Sequence, residues 1–329
     1  MNPNDCWCEA PFCQANKPGF FAGVKGPSKS VRKRQAGACK VITVISLTGV
    51  VTTLVHVKGL AYWPLFQRPI GHLREYTMDL QLSGKTALVT GASVGLGRCM
   101  AQMLAKEGCE LAIVARRESL LDSLAQDIQD QGGVKPLVIV CDITQADAPA
   151  RIREQIMQRW GGLDILVNNA GGSRPFAGIG TREQWDDAMN LNFHAGRELT
   201  HALLPDMQAR GFGRIINLTG PDEPMTMNGG VPPNGAVHLW SKALSRHVGA
   251  NGITVNSIAP GRIHSEQVDQ KLLPTAEAQQ AWVKANVPAG YIGEPQDLAA
   301  LVCFLVSPLA RYITGQVIHV DGGARRAAS

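Results

Sequence analysis

The chain has 329 residues, 45% of them apolar, which is ordinary for a globular protein and enough for one large domain or two. Its net charge of +5 is unevenly placed: residues 1–77 hold ten Lys/Arg against three Asp/Glu, leaving 22 against 24 in residues 78–329. The basic excess therefore belongs to the N-terminal leader, and the rest of the chain offers no charged face for nucleic acid.

In the leader, residues 1–77, no recognisable helix or strand period precedes Val41. Val41 to Val57 (VITVISLTGVVTTLVHV) is a 17-residue apolar stretch behind Arg32, Lys33, Arg34 and Lys40. That length is the lower limit for spanning a bilayer, and four Thr, a Ser, a Gly and a His weaken it. Three readings stay open: a membrane anchor at 41–57, a disordered leader, and a native chain that begins at Met78. Four of the eight cysteines (Cys6, Cys8, Cys13 and Cys39) lie here, and the other four are scattered without the spacing of a zinc site or a disulfide scaffold. No metal site is expected. The setting is expected to be reducing and cytoplasmic, with a membrane-anchored chain as the alternative.

From Lys85 the pattern changes. Thr86 to Val89 reads as a buried strand, and Gly91, Gly95 and Gly97 follow in the spacing T-G-x-x-x-G-x-G. A helix is predicted over Leu96 to Glu107. A strand that turns sharply into a helix points backbone N–H groups at one spot, where glycines let a pyrophosphate approach. Strands are predicted at Glu110–Ala115, Pro136–Cys141, Asp164–Val167, Arg214–Leu218, Gly252–Ile258 and Gln316–Val320. Helices are predicted over Ser119–Gln131, Ala150–Trp160 and Arg182–Leu204. This alternation implies a parallel sheet covered on both faces by helices, with no linker inside residues 78–329.

The glycine spacing resembles that of the short-chain dehydrogenase/reductase family, and the resemblance extends from about Leu82 to Gly323. Asn168 to Gly171 (NNAG) is a family signature. Asp142 in CDIT stands where the family places a residue against adenine, and Asn192 where it keeps an asparagine that holds a proton-relay water. Asn256 to Gly261 (NSIAPG) resembles the loop beside the nicotinamide, and Ile313 to Gly323 (ITGQVIHVDGG) the C-terminal strand motif. The resemblance implies one doubly wound α/β domain of Rossmann type, with a seven-stranded parallel sheet, over residues 78–329. It also implies a homodimer or homotetramer, and a substrate lid over His264 to Pro288 that holds Trp282. The cofactor residues it implies are Gly91, Ser93, Val94, Gly95, Leu96, Gly97, Asp142, Ile143, Asn168, Ala170, Gly171, Lys242, Pro260, Gly261 and Ile263.

The choice of nicotinamide cofactor is read at the end of the second core strand. Arg116 and Arg117 lie 19 and 20 residues after Gly97, where an acidic residue would bind the 2′-hydroxyl of NAD and an arginine the 2′-phosphate of NADP. A guanidinium fork matches a phosphate well, so NADP(H) is expected to be preferred, with NAD(H) as the alternative.

The catalytic residues depart from the family pattern, in which a serine holds the substrate oxygen, a tyrosine moves the proton, and a lysine four residues later binds the nicotinamide ribose. Lys242 matches the lysine, but the tyrosine position is His238 and the serine position Gly220, with Thr219 just before it. The 18-residue link from Gly220 to His238 holds four prolines and reads as a loop. On this alignment Thr219 points away from the site, and it could supply the missing hydroxyl only if the strand register shifts. His238 can exchange a proton near neutral pH, and a nearby Lys242 cation would lower its pKa. Two classes stay open: a divergent NADP(H)-dependent oxidoreductase acting on a carbonyl/alcohol pair, and a non-catalytic NADP(H)-binding sensor or partner subunit. The titratable His238 favours the enzyme, with Asn192, His238, Lys242 and Thr219 as its catalytic candidates.

Overall fold

A computed structural model of the chain describes residues 31–36, 39–45, 50–57, 64–69, 78–223 and 227–327. The chain divides into two units, Met1–Thr77 and Met78–Ser329.

In the first unit, β1 (Val31–Ala36), β2 (Cys39–Ile45), β3 (Val50–Val57) and β4 (Pro64–Pro69) form an antiparallel sheet in that order. Strands β1 and β2 begin ahead of Val41, where the sequence shows no strand period, and residues 41–45 and 50–57 of the apolar stretch are strand. The run is rich in the β-branched Val, Ile and Thr, which suit a pleated sheet better than a helix. The leader cysteines Cys6, Cys8 and Cys13 lie outside the described residues. No helix among the described residues is long and apolar enough to cross a membrane.

The second unit is the predicted doubly wound domain. Its strands are β5 (Thr86–Thr90), β6 (Glu110–Ala115), β7 (Leu137–Val140), β8 (Ile165–Asn168), β9 (Gly213–Leu218), β10 (Ile253–Pro260) and β11 (Val317–Val320). They pair parallel in the order β11-β10-β9-β8-β5-β6-β7. The helices are α1 (Gly95–Lys106), α2 (Glu118–Asp130), α3 (Ala148–Trp160), α4 (Arg182–Met189), α5 (Ala195–Arg210), α6 (Val231–Val248), α7 (Ala276–Asn286) and α8 (Pro295–Val306).

Alternate strand residues feed two cores, as a pleat requires. Ala87, Val89, Leu111 and Ile113 join Leu104 of α1, Leu121 of α2 and Val302 of α8 on one face. Leu88, Ala112 and Val114 join Ile152 of α3, Leu199 of α5 and Val248 of α6 on the other. Each fully buried Leu or Ile contributes about 1.5–3 kcal/mol, so these two layers hold the sheet in place. The second core also encloses a polar rung. Asn168, Asn217 and Ser257 are lateral neighbours across β8, β9 and β10. Asn168 Nδ2 donates to Asn217 Oδ1 at 2.8 Å, Asn217 Nδ2 to Ser241 Oγ at 2.9 Å, and Ser257 Oγ to Ser241 Oγ at 3.2 Å.

Because every strand of this seven-stranded sheet is parallel, all its C-terminal ends lie on one edge. The order runs outward both ways from β5, through β6 to β7 and through β8 to β11, so the crevice between β5 and β8 is the switch point at which such sheets bind ligands.

Three details differ from the sequence reading. The helix predicted over Arg182–Leu204 is α4 and α5 joined by a π-turn, Asn190–His194. The prolines at 232 and 233 lie in the first turn of α6, where a missing N–H costs nothing, so that part of the 220–238 link is helix. The NSIAPG motif is strand through Pro260 rather than loop.

Candidate active site

The β5–α1 end of the crevice is made by backbone. Gly91 and Gly95 have φ of +65° and +55°, values that favour glycine. A Cβ on Gly97 would overlap the Gly91 carbonyl oxygen, so only glycine lets α1 begin this close to β5. Val94, at the N-cap of α1, gives no side-chain cap, and the first turn holds no acidic residue. The free N–H groups and the helix dipole therefore face the crevice as an anion site. Thr90 and Asn169 staple this loop to the end of β8. Thr90 Oγ1 accepts from the backbone N–H of Asn169 and Ala170, both at 3.0 Å, and Asn169 Nδ2 donates to Thr90 O at 2.8 Å and Gly91 O at 3.2 Å.

Two arginines flank the anion site. Arg117 donates to Ser93 Oγ at 3.3 Å, while Arg116 is exposed and lies 3.8 Å from the Asp142 carboxylate. Asp142 accepts from the Thr144 backbone N–H at 3.0 Å and its hydroxyl at 2.7 Å, which holds the carboxyl below its usual range. Glu118 opens α2, where an acidic residue complements the helix dipole. These features fit a dinucleotide: glycines where the backbone must come close, an uncapped helix N-terminus for a pyrophosphate, and a guanidinium beside the loop.

The β9–α6 end is made by side chains. Thr219 Oγ1 lies 3.0 Å from His238 Nε2 and 3.1 Å from Ile258 O. This corrects the expectation that Thr219 points away: odd-numbered residues of β9 face α6, and Thr219 continues that side. A hydroxyl has one proton. If it goes to Ile258 O, Thr219 accepts from His238 Nε2–H, leaving Nδ1 as the basic nitrogen of the ring. Burial pushes the His238 pKa down, with His319 and Arg325 adding to the shift and Asp222 opposing it. Lys242 does not contribute, contrary to expectation. Its Nζ donates to Gly315 O at 3.2 Å, and Gly315 N bonds Val255 O near the start of β10. Five residues of strand separate Val255 from Pro260, about 16 Å of rise, so Lys242 is held far from the C-terminal edge.

Asn234, one turn before His238, faces Gly220 instead. It is nine-tenths buried, and a Cβ on Gly220 would stand 3.0 Å from its Nδ2.

Residues 91–325 match a family model described as enoyl-(acyl carrier protein) reductase. The 3-oxoacyl-(acyl-carrier-protein) reductase of Haemophilus influenzae is 37% identical over 247 residues, covering 74% of this chain and 98% of that protein. A short-chain type dehydrogenase/reductase from Mycobacterium marinum superposes with a TM-score of 0.69 at 31% identity, over 75% of this chain and 98% of that one. The chain belongs to the short-chain dehydrogenase/reductase family. Another solved relative, the L-sorbose reductase of Gluconobacter frateurii in complex with NADPH and L-sorbose, has a TM-score of 0.71 at 30% identity, over 76% of this chain and all of that one.

Within this short-chain dehydrogenase/reductase, Gly91, Ser93, Val94, Gly95, Leu96, Gly97, Arg117, Ala170 and Gly171 gather at the switch point. A Cβ on Gly171 would stand 3.0 Å from Asn192 Oδ1. Asn192, in the π-turn, accepts from Gly172 N at 2.8 Å and donates to Ala188 O at 3.0 Å, so it fixes the backbone after NNAG. Ile143 and Ile263 are buried, and Gly261 abuts Asp321. The Asn168 amide is turned into the polar rung, away from the crevice. Thr90, Asn169 and Asn234 were not singled out from sequence. The first two sit inside quoted motifs, but Asn234 has only its one-turn offset from His238 as a signal.

Proposed function

We propose that this chain is an NADP(H)-dependent oxidoreductase that interconverts a carbonyl and an alcohol on a small molecule. The observation that carries the reading is the uncapped N-terminus of α1 behind a loop that only glycines allow, with Arg117 beside it. The relatives' names, a 3-oxoacyl reductase and a sorbose reductase solved with NADPH, support the reaction class and the cofactor. The nicotinamide supplies or takes the hydride when bound. In this reading Arg117 binds the 2′-phosphate and the α1 N-terminus the pyrophosphate, while Asp142 accepts from the adenine amine.

Proton movement falls to His238 and Thr219. Burial lowers the His238 pKa and so favours its neutral form, which suits it to accept a proton as an alcohol is oxidised. Thr219 orients the ring. The Asn234 amide is the donor nearest the place of the absent serine hydroxyl, so it is assigned to hold the substrate oxygen. Lys242 has no part in this unit. The same reading includes self-association, supported by the exposed Leu239 on α6, and a cytoplasmic setting.

The displaced Lys242 and the glycine at 220 favour a second reading, an NADP(H) binder without turnover. One experiment separates them: titrate NADPH by its fluorescence, then follow its absorbance against a panel of ketones, sugars and 3-oxoacyl thioesters, and NADP⁺ against the matching alcohols. Binding with turnover supports the enzyme. Binding with no turnover on any substrate class leaves the binder, and no binding overturns both.

A further inference from the structure

Arg117 faces two ways. It stands at the N-cap of α2, at the end of the β6 connection, and reaches Ser93 in the glycine loop. Its two outer nitrogens also lie 3.3 Å from the carboxylate of Glu266, 149 residues further along the chain. Glu266 follows Ser265, whose Cβ lies 3.5 Å from where a Cβ on Gly95 would stand. The segment after β10 therefore rests against the first residue of α1. It is braced from within: Asp269 bonds His264 Nδ1 at 2.7 Å and Ser265 N at 3.0 Å. The Glu266–Arg117 pair thus spans the glycine loop, from the lid segment to the β6 edge.

A guanidinium binds a phosphate through the same outer nitrogens that it gives a carboxylate. A 2′-phosphate on Arg117 must take them from Glu266, whereas a 2′-hydroxyl makes no such demand. We infer that Glu266 sets cofactor specificity by competing with the 2′-phosphate for Arg117, so that this chain discriminates between the two nicotinamide cofactors less than Arg117 alone would. The inference rests on the reading above, that the crevice binds a nicotinamide dinucleotide with its 2′-position toward Arg117.

The test is calorimetric titration of the full chain with adenosine 2′,5′-bisphosphate and with adenosine 5′-monophosphate, which differ only in the 2′-phosphate. Glu266→Gln is expected to tighten the bisphosphate roughly two- to fivefold, the effect of removing one exposed ion pair, and to leave the monophosphate unchanged. Arg117→Ala is expected to weaken the bisphosphate, and in that background Glu266→Gln should change nothing. Equal tightening of both nucleotides overturns the inference, as does no change in Glu266→Gln. A gain that persists without Arg117 also overturns it, because through-space repulsion needs no arginine. If neither nucleotide binds any form of the chain, the reading of the crevice itself has failed, a result distinct from bisphosphate binding that ignores Glu266.

Discussion

The two ends of the crevice are built from different material. At the β5–α1 end the binding groups are backbone N–H groups, placed by positive φ angles and by glycines with no room for a Cβ. At the β9–α6 end the groups that the proposed function uses are side chains: Thr219, Asn234 and His238. Backbone sites survive most substitutions of their neighbours, because every residue but proline has the same N–H. Side-chain sites change chemistry with one residue. On the proposed reading, a glycine at 220 and a histidine at 238 change the chemistry of that end without altering the backbone of the other.

The comparison can be broken most sharply at His238. His238→Ala is expected to lower turnover roughly 10²- to 10⁴-fold, as for loss of a general acid–base group, while NADPH binding measured by fluorescence stays as it was. Full turnover in this variant would make His238 a space-filler. The same residue sets a pH response. Its folded pKa lies below its unfolded value, so the unfolded chain takes up the proton first. The stability that neutral His238 contributes is present above pH of about 6.5 and is lost as pH falls through the window below it. Thermal melts from pH 7.5 to 5 should show this slope, and His238→Gln should flatten it.

Gly97→Ala attacks the other end. Its Cβ meets backbone, which cannot yield as a flexible side chain can. A stability loss of about 1–3 kcal/mol is expected from overpacking, with nucleotide binding lost alongside. A variant that melts and binds as the parent does would remove the backbone argument.

The arginine pair comes next in size. Replacing Arg116 and Arg117 with Ala should cost about 1–3 kcal/mol of NADPH affinity, as for hydrogen bonds to a charged group, with NADH little changed. Equal losses for both cofactors would dissolve the 2′-phosphate assignment.

The smallest effect is expected at Lys242. Held against Gly315, it should accept Ala with a stability change within about 0.5 kcal/mol and no change in NADPH affinity. A large loss of binding would show that the amine reaches the ribose after all. Residues 78–329 alone are expected to fold and bind NADPH, since both cores lie within them.

The nucleotide end was legible because its signal is local. Glycine spacing, a strand before it and a helix after it are read within fifteen residues, and Arg117 lies at a fixed offset along the next strand. The β9–α6 end was not, because its geometry depends on where α6 starts. Pro232 and Pro233 read as loop, yet they occupy the first turn of the helix. Which side chains then meet Gly220 and Thr219 depends on helical phase, which spacing alone does not reveal. Helix α8 went unread because PQDLAALVCFLV is apolar almost all round and shows no amphipathic period. The π-turn at Asn190–His194 has no sequence sign, since its extra residue per turn resembles ordinary helix.

The polar rung across β8, β9 and β10 bears on assembly. Besides the buried Arg214, Thr254 and Asn256, these strands are rich in Ile, Val and Leu whose side chains are close to interchangeable, so hydrophobicity alone discriminates weakly against a sheet misaligned by two residues. Asn168, Asn217 and Ser257 remove that degeneracy. In the correct alignment they share hydrogen bonds with one another and with Ser241. In any other, several buried amides and hydroxyls face hydrocarbon with no partner, at about 1–3 kcal/mol for each orphaned group. Asn168, Asn217 and Ser257 thus help to specify the register of β8, β9 and β10, alongside the buried Arg214 and Asn256, which hold hydrogen bonds of their own.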